Sequence, residues 1–146
     1  MTNRVAIVAT AQTKYESAKA DLELGELCLE PVEQVMQQTG LKFTDDGTGI
    51  DGAVTSSQDH WDGRTISSLG VVDLIGGHLR DEEKVAEDGS LAFYHAAMQV
   101  LSGHKDIVLV AAHTKESQTE PRLIENAGFE RTYFRMLGLD FLAAAA

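Results

Sequence analysis

Apolar residues in this chain fall into short runs of strand length that alternate with longer stretches of helical spacing. The strand-like segments are Val5–Ala9, Ile50–Thr55 and Ile107–Ala112. We also predict a short strand at Glu83–Ala86, although two of its four residues are charged. Short, nearly continuous apolar runs indicate strands that are covered on both faces, as in a parallel sheet. We therefore predict an α/β fold with one mainly parallel sheet and right-handed crossover connections.

The helical stretches differ in how clearly they begin and end. Apolar residues recur at helical spacing in four segments: Leu24 to Thr39, about Thr65 to His78, Gly89–Ser102, and Tyr133 into Ala146. Gly40 and Gly103 follow the first and the third segment and predict where those helices end. Pro31 lies inside the first helix and predicts a kink or a break there. The Gly89–Ser102 helix is apolar on most sides, so we expect it to be the most buried helix.

Composition and charge narrow the class of protein. A chain of 146 residues with 43% apolar content is long enough for one globular domain. Its net charge of −11 argues against a face for nucleic acid or for an anionic membrane, because both require clustered Lys and Arg. No apolar run approaches the roughly 20 residues that span a bilayer, and the amino terminus carries no cleavage-site pattern. The lone Cys28 suits a reducing compartment, so we expect a cytoplasmic protein.

The densest polar cluster outside the helices does not have the spacing of a metal site. It contains Asp59, His60, Trp61 and Asp62. The spacing of Asp59, His60 and Asp62 matches no established ligand set, so we predict no metal. A loop that caps the next helix or meets a partner subunit fits this cluster better, and Trp61 suits an interface. No glycine-rich phosphate loop is present, and we predict no bound cofactor.

The segment from Glu83 to Ser117 contains glycine, alanine and polar residues at separations that are typical of a known protein family. Its members are Gly89, Ala92, Gly103, Asp106, Lys115 and Ser117, with an apolar strand before the last two. This spacing resembles the nucleophile helix of the thiolase superfamily, in particular acetyl-CoA acetyltransferases and sterol-carrier-type thiolases. The opening RVAIVATAQTKYE and Arg64 also resemble that family. Ala86 stands where the family has its nucleophilic cysteine.

The resemblance implies a fold, a substrate and partners. The fold would be a layered α/β arrangement with a mainly parallel sheet and a buried central helix, Gly89–Ser102. Residues 1–146 would form the amino-terminal domain of a longer chain, whose second half carries the family's acid and base motifs. The substrate would be a coenzyme A thioester, in the making or breaking of a carbon–carbon bond. The partners would be a second thiolase-like chain, as homodimer or heteromer through Glu83–Ala86, and a small OB-fold protein.

The alanine at the nucleophile position limits the chemistry. Alanine has no lone pair, so an acyl-cysteine intermediate cannot form there, and an aldolase-like reaction fits better than thiolysis. Glu87 and Asp88 at the helix amino end, and His113 at a strand end, are the candidate catalytic residues. Asp88 is either an N-cap or a general base. The isolated chain is expected to be inactive.

Three functions remain open at this point. The chain could be an enzyme subunit, a non-catalytic subunit that pairs with an active thiolase-like chain, or an unrelated α/β domain that binds a small ligand at its strand ends.

Overall fold

Three parallel strands form the sheet of this protein. The computed structural model describes residues 4–44, 46–59, 66, 68–86, 88–115, 117, 119, 120, 122 and 135–139. In that part of the chain the strands are β1 (Gly52–Ser57), β2 (Glu82–Ala86) and β3 (Val108–Ala112), in the order β2–β1–β3. The prediction of a parallel α/β sheet is confirmed for these three segments, with bounds shifted by up to two residues.

The central strand β1 is buried along its whole length because helices and turns cover both of its faces. On one face Val54 packs against Ala92 and Ala96. On the other face Ala53 packs with Val32 and Ile75. The small side chains of β1 let both covering layers come close to the sheet.

The predicted first strand, Val5–Ala9, is wrong. This segment is irregular and pairs with none of the described strands, and Ile7 and Val8 are 66% and 70% exposed. It lies across a cavity from β3. A strand needs a neighbouring backbone at about 4.8 Å, and the cavity separates this segment from one. An apolar run predicts burial, but it does not supply the pairing partner.

The first helix, α1 (Leu24–Thr39), is confirmed and begins with a capping box in which the Glu23 and Glu26 side chains each accept the other's backbone N–H. It ends at Gly40, whose φ of 71° and N–H bond to the Met36 carbonyl make a left-handed cap. Of the kink or break predicted at Pro31, the break is wrong, since the helix continues through this residue. Proline removes one backbone bond, and the buried residues on either side hold the helix in place: these are Leu24, Cys28 and Val32.

The predicted helix from Thr65 to His78 is also wrong in the described part. Ser68–Gly70 form a 3₁₀ turn, and further turns continue to Gly76. The chain leaves helical geometry at Gly76, which has a φ of 81°. The Phe43 ring occupies the space where a Cβ of residue 76 would lie, so only glycine fits.

The second helix, α2 (Gly89–Leu101), ends one residue earlier than predicted, with Ser102 as its C-cap and Gly103 at a φ of 73°. Its expected burial on most sides is wrong, because α2 is buried along one face only. The buried residues are Ala92, Ala96 and Gln99, whereas Leu91, Tyr94 and Met98 are 55%, 70% and 56% exposed. The sheet covers one side of this helix, and no described element covers the other.

The end of the chain is described only in part. Residues Arg135–Leu137 form a single 3₁₀ turn, and the rest of the predicted Tyr133–Ala146 helix lies outside the described residues. Neither α1 nor α2 combines the length and the apolar character that crossing a bilayer demands.

Candidate functional site

The carboxyl ends of all three strands meet the amino end of α2, and we call this region the strand-end site. It consists of Ser56, Ser57, Ala86, Asp88, Gly89, Ala112 and His113. In the sheet register Ser57 pairs with Ala86, and Ser56 pairs with Ala112. Ala86 and Ala112 therefore flank β1 on its two sides, with their backbones about 10 Å apart. Parallel α/β sheets bind ligands at this edge.

Ala86 stands at the sharp turn from β2 into α2. It is the last residue of β2 and is exposed. The Asp88 N–H donates to the Ala86 carbonyl at 3.1 Å, and Asp88 is the N-cap of the helix that starts at Gly89. The methyl group of Ala86 thus lies close to the positive end of the helix dipole. Glu87, the other candidate of this turn, lies outside the described residues.

The Asp88 carboxylate is committed to capping. Its Oδ1 accepts the Ser90 N–H at 2.7 Å and the Ser90 hydroxyl at 2.6 Å. The Ser90 hydroxyl, and then the Ser90 backbone N–H, lower the pKa of Asp88 below its ordinary 3.8. A carboxylate with a lowered pKa is a weaker base. The geometry therefore favours the N-cap role over the general-base role.

Gly89 brings the amino end of α2 into close contact with β3. A Cβ added to Gly89 would lie 2.9 Å from the Cβ of Ala112, closer than two carbons can approach without displacement. The missing side chain at residue 89 thus positions the helix start over the end of the strand.

His113 follows β3 and reaches the same edge as Ala86. Its backbone N–H donates to the Ser56 carbonyl at 2.9 Å, which fixes its position beside β1. The Ser56 side chain, 2% exposed, points toward α2 like Val54, and its hydroxyl has no hydrogen-bond partner among the described residues. No signal in the sequence marked Ser56, because it lies between two other small polar residues, Thr55 and Ser57.

A polar cluster between β2 and α2 was also not predicted from the sequence. Glu83 Oε1 accepts from Gln99 Nε2 at 2.6 Å, and Glu83 Oε2 contacts His95 Nε2. Glu83 comes three residues before Ala86 on β2, so this cluster lies about 10 Å from the strand-end site. His95 and Gln99 are four residues apart on one helix face, and that spacing was the available signal.

Two further residues from the sequence analysis have structural contacts. Asp59 forms an ion pair with Lys84, while His60, Trp61 and Asp62 lie outside the described residues. The Lys115 amino group donates to the Leu22 carbonyl and ties the segment after β3 to the entry of α1. Among the described residues, no three side chains are grouped as metal ligands.

A cavity of about 1290 Å³ opens beside the strand-end site. Segment 4–13, α1, α2 and β3 form its walls. Ser56, Gly89 and His113 line one end of it, so a ligand in the cavity would reach the amino end of α2.

Comparison with known proteins identifies no family for this chain, so the geometry alone describes the type of site. No protein-family model matches the chain, and no curated protein matches it. The geometry is that of a parallel α/β sheet with a helix amino end at its carboxyl edge and a cavity of mixed polarity that runs along β3 to that edge. Sites of this class bind small ligands.

Proposed function

We propose that this chain is a thiolase-superfamily subunit that binds a coenzyme A thioester at the strand-end site and acts in carbon–carbon bond making or breaking without a cysteine nucleophile. One observation carries the proposal: Ala86 ends β2 directly before the amino end of α2. A thioester carbonyl oxygen placed there gains from the backbone N–H groups and the helix dipole. The parallel pairing of β2 and β3 with β1 supports the same reading.

The chemistry that fits an alanine at this position is aldol-like. In the synthetic direction a base removes a proton from the carbon next to the thioester carbonyl, and the helix end stabilises the enolate oxygen. The enolate carbon then bonds to the carbonyl carbon of a second molecule, whose oxygen takes up a proton. His113 is the candidate base, because it lies at the same edge and Asp88 is occupied by capping.

A non-catalytic subunit is the second candidate, and the exposed face of α2 favours it. Leu91, Tyr94 and Met98 form an apolar surface that a partner chain would cover. The outer edge of β2 is unpaired in the described part of the chain, and we propose it as the contact with a thiolase-like partner. A small OB-fold partner belongs to the same proposal.

Binding is the first test of the proposal. Calorimetric titration with acetyl-CoA should give saturable binding to the wild-type chain. Ala86→Trp should remove it, because the indole would cover the helix end. Leu79→Trp is the matched control, since Leu79 is 93% exposed and precedes β2, at the opposite end of that strand from Ala86. No binding by the wild type, or equal binding by both variants, would refute the proposal.

Two measurements, one of covalent adducts and one of proton transfer, distinguish an enzyme subunit from a non-catalytic subunit. Intact-mass measurement after incubation with acetyl-CoA should show an unchanged mass, and an acyl adduct on any residue would contradict the loss of the nucleophile. The isolated chain should not turn over, but if His113 is the base it should exchange the thioester α-hydrogens for deuterium in NMR, and His113→Gln should abolish this exchange. A chain that binds the thioester without exchange would favour the non-catalytic subunit.

A further inference from the structure

One buried hydroxyl group at the strand-end site makes no hydrogen bond within the described part of the chain. Ser56 lies on the central strand β1 and is 2% exposed, and its Oγ has no partner among the described residues. A buried hydroxyl that stays unpaired costs stability, because it has given up its hydrogen bonds to water. Native proteins contain few such groups, and a ligand that supplies the missing acceptor is one reason to keep one.

The neighbouring hydroxyl on β1 shows the contrast. Thr55 is also fully buried, and its hydroxyl donates to Glu82 Oε1 at 2.5 Å. Ser56 points to the opposite face, toward α2, where its in-register neighbours are Val85 of β2 and Ala112 of β3. These two side chains are apolar and cannot accept a hydrogen bond. The hydroxyl of Ser56 is therefore unpaired because of where β1 places it.

Ser56 lies beside the amino end of α2. Its strand neighbour Ala112 is the residue whose Cβ would lie 2.9 Å from a Cβ on Gly89. Gly89 is the first residue of α2, and the N–H of a first helical residue has no acceptor within its helix. Ser56 and Gly89 also line the same cavity. A hydroxyl donor and a helix amino end thus border one end of that cavity.

The hydroxyl can reach the cavity by rotation of its own side chain. Ser56 lines the cavity, although its Oγ is covered in the rotamer that the structure shows. Serine has three staggered χ1 rotamers, and a change among them moves Oγ without moving the backbone of β1. A ligand oxygen that enters the cavity can therefore meet this donor while the sheet stays in place.

The charge at this helix end favours a neutral acceptor over an anion. The Asp88 carboxylate caps α2 and offsets the positive end of the helix dipole, and the chain as a whole has a net charge of −11. A carboxylate brought to this point would meet a like charge, whereas a carbonyl oxygen would accept hydrogen bonds without that repulsion. Asp88 is exposed, so solvent weakens the discrimination without reversing it.

We infer that Ser56 is a binding residue, whose hydroxyl donates a hydrogen bond to a neutral carbonyl oxygen at the amino end of α2, in a site that disfavours carboxylates. The inference rests on the proposed function only for the identity of that carbonyl as the thioester. In the proposed reaction, Ser56 would hold the oxygen that becomes the enolate oxygen. A donor aimed at that atom gains strength as negative charge develops on it.

The variant Ser56→Ala separates a binding role from a structural one. Removing a hydroxyl that the fold does not use should leave the Tm unchanged or raise it. The Kd for acetyl-CoA should rise by about two- to ten-fold, the effect of losing one neutral hydrogen bond. Ser68→Ala is the matched control, because Ser68 is also a buried serine but lies in the 3₁₀ turn before β2. A lower Tm for Ser56→Ala with an unchanged Kd would overturn the inference.

Infrared spectroscopy of the bound ligand reports the hydrogen bond directly. The carbonyl stretch of acetyl-CoA labelled with ¹³C at the carbonyl carbon should lie at lower frequency on the wild type than on Ser56→Ala. A donor weakens the C=O bond that it contacts, whereas a purely structural serine would not change this band. Equal frequencies on the two proteins would overturn the inference.

Small carbonyl compounds test the site without coenzyme A. In NMR spectra of the ¹⁵N-labelled wild type, butanone should shift the Ser56 and Gly89 amide resonances saturably, and butyrate should shift them less. Ser56→Ala should reduce the Gly89 response to butanone.

The outcomes distinguish the inference from the proposed function. A response to butanone without binding of acetyl-CoA keeps the Ser56 site and overturns the proposed function. Equal affinity of the wild type and Ser56→Ala for acetyl-CoA overturns the inference and leaves the proposed function. No response to butanone, or an equal response to butyrate, also overturns the inference.

Discussion

Gly89 and Ala112 are in such close contact that a Cβ on Gly89 would lie 2.9 Å from the Cβ of Ala112. This contact lies where the amino end of α2 meets the carboxyl end of β3. Ala86, Asp88 and His113 lie at the same edge of the sheet. A mutation at this contact should therefore disturb both stability and the strand-end site.

The first prediction concerns Gly89→Ala. The added methyl must displace the backbone of β3 or α2, and overpacking of this kind destabilises by about 1–3 kcal/mol. Chemical denaturation should show this loss. The double variant Gly89→Ala with Ala112→Gly should recover part of it, which a double-mutant cycle measures. Gly70→Ala is the control, because no atom lies within 4 Å of a Cβ there. Additive effects in the cycle would rule out the contact.

The second prediction concerns the Asp88 cap and its pH dependence. Asp88→Ala should lower the melting temperature by a few degrees, and Asp88→Asn by less, because asparagine also caps helices. The folded pKa of Asp88 lies below its ordinary 3.8, so the carboxylate stabilises the fold above that pH. The difference between wild type and Asp88→Ala should be full at neutral pH and shrink as the pH falls below 3.8. A difference that grows on acidification would contradict this assignment.

The third prediction concerns the Glu83–His95 pair. Both side chains are about half exposed, at 44% and 41%, so solvent screens their attraction. A double-mutant cycle with Glu83→Ala and His95→Ala should give a coupling of about 0.2–1 kcal/mol at neutral pH. A coupling several times larger would show that a partner buries the pair in solution.

The fourth prediction concerns the exposed face of α2. Met98→Lys should reduce the binding of an apolar dye and shift any oligomer toward monomer in light scattering, because a charge on this face opposes its burial. Stability should change by less than about 0.5 kcal/mol, since Met98 is exposed. Leu69→Lys, at another exposed apolar position, serves as the control. A monomeric wild type with no dye binding would remove the case for a partner on this face.

The fifth prediction places a thiol at residue 86. In a Cys28→Ala background, Ala86→Cys places a thiol beside the amino end of α2, and Ser102→Cys places one at its opposite end. The helix dipole favours the thiolate at the first position and disfavours it at the second. Alkylation at neutral pH should be about two- to five-fold faster for Ala86→Cys. Faster reaction of Ser102→Cys would contradict a polarised helix end at Ala86.

Local sequence determined those parts of the fold that depend on neighbouring residues. The bounds of α1 follow from Glu23, Glu26 and Gly40, which satisfy the unpaired backbone groups at the two helix ends. The segments predicted as strands at β2 and β3 match the observed strands to within a residue. The spacing between Ala86 and Gly89 placed a strand end next to a helix start, and the structure has that turn.

Only the tertiary structure decided which elements have partners. Val5–Ala9 has the composition of a buried strand, but it forms no ladder with any strand in the described part of the chain. The apolar Gly89–Ser102 pattern predicted burial on most sides, yet the sheet covers one face of α2. Ser56 and Glu83 gained their surroundings from residues distant in sequence: His113 for the first, and His95 and Gln99 for the second. Periodicity and capping act over a few residues and can be read along the chain, whereas coverage and pairing depend on contacts that folding alone creates.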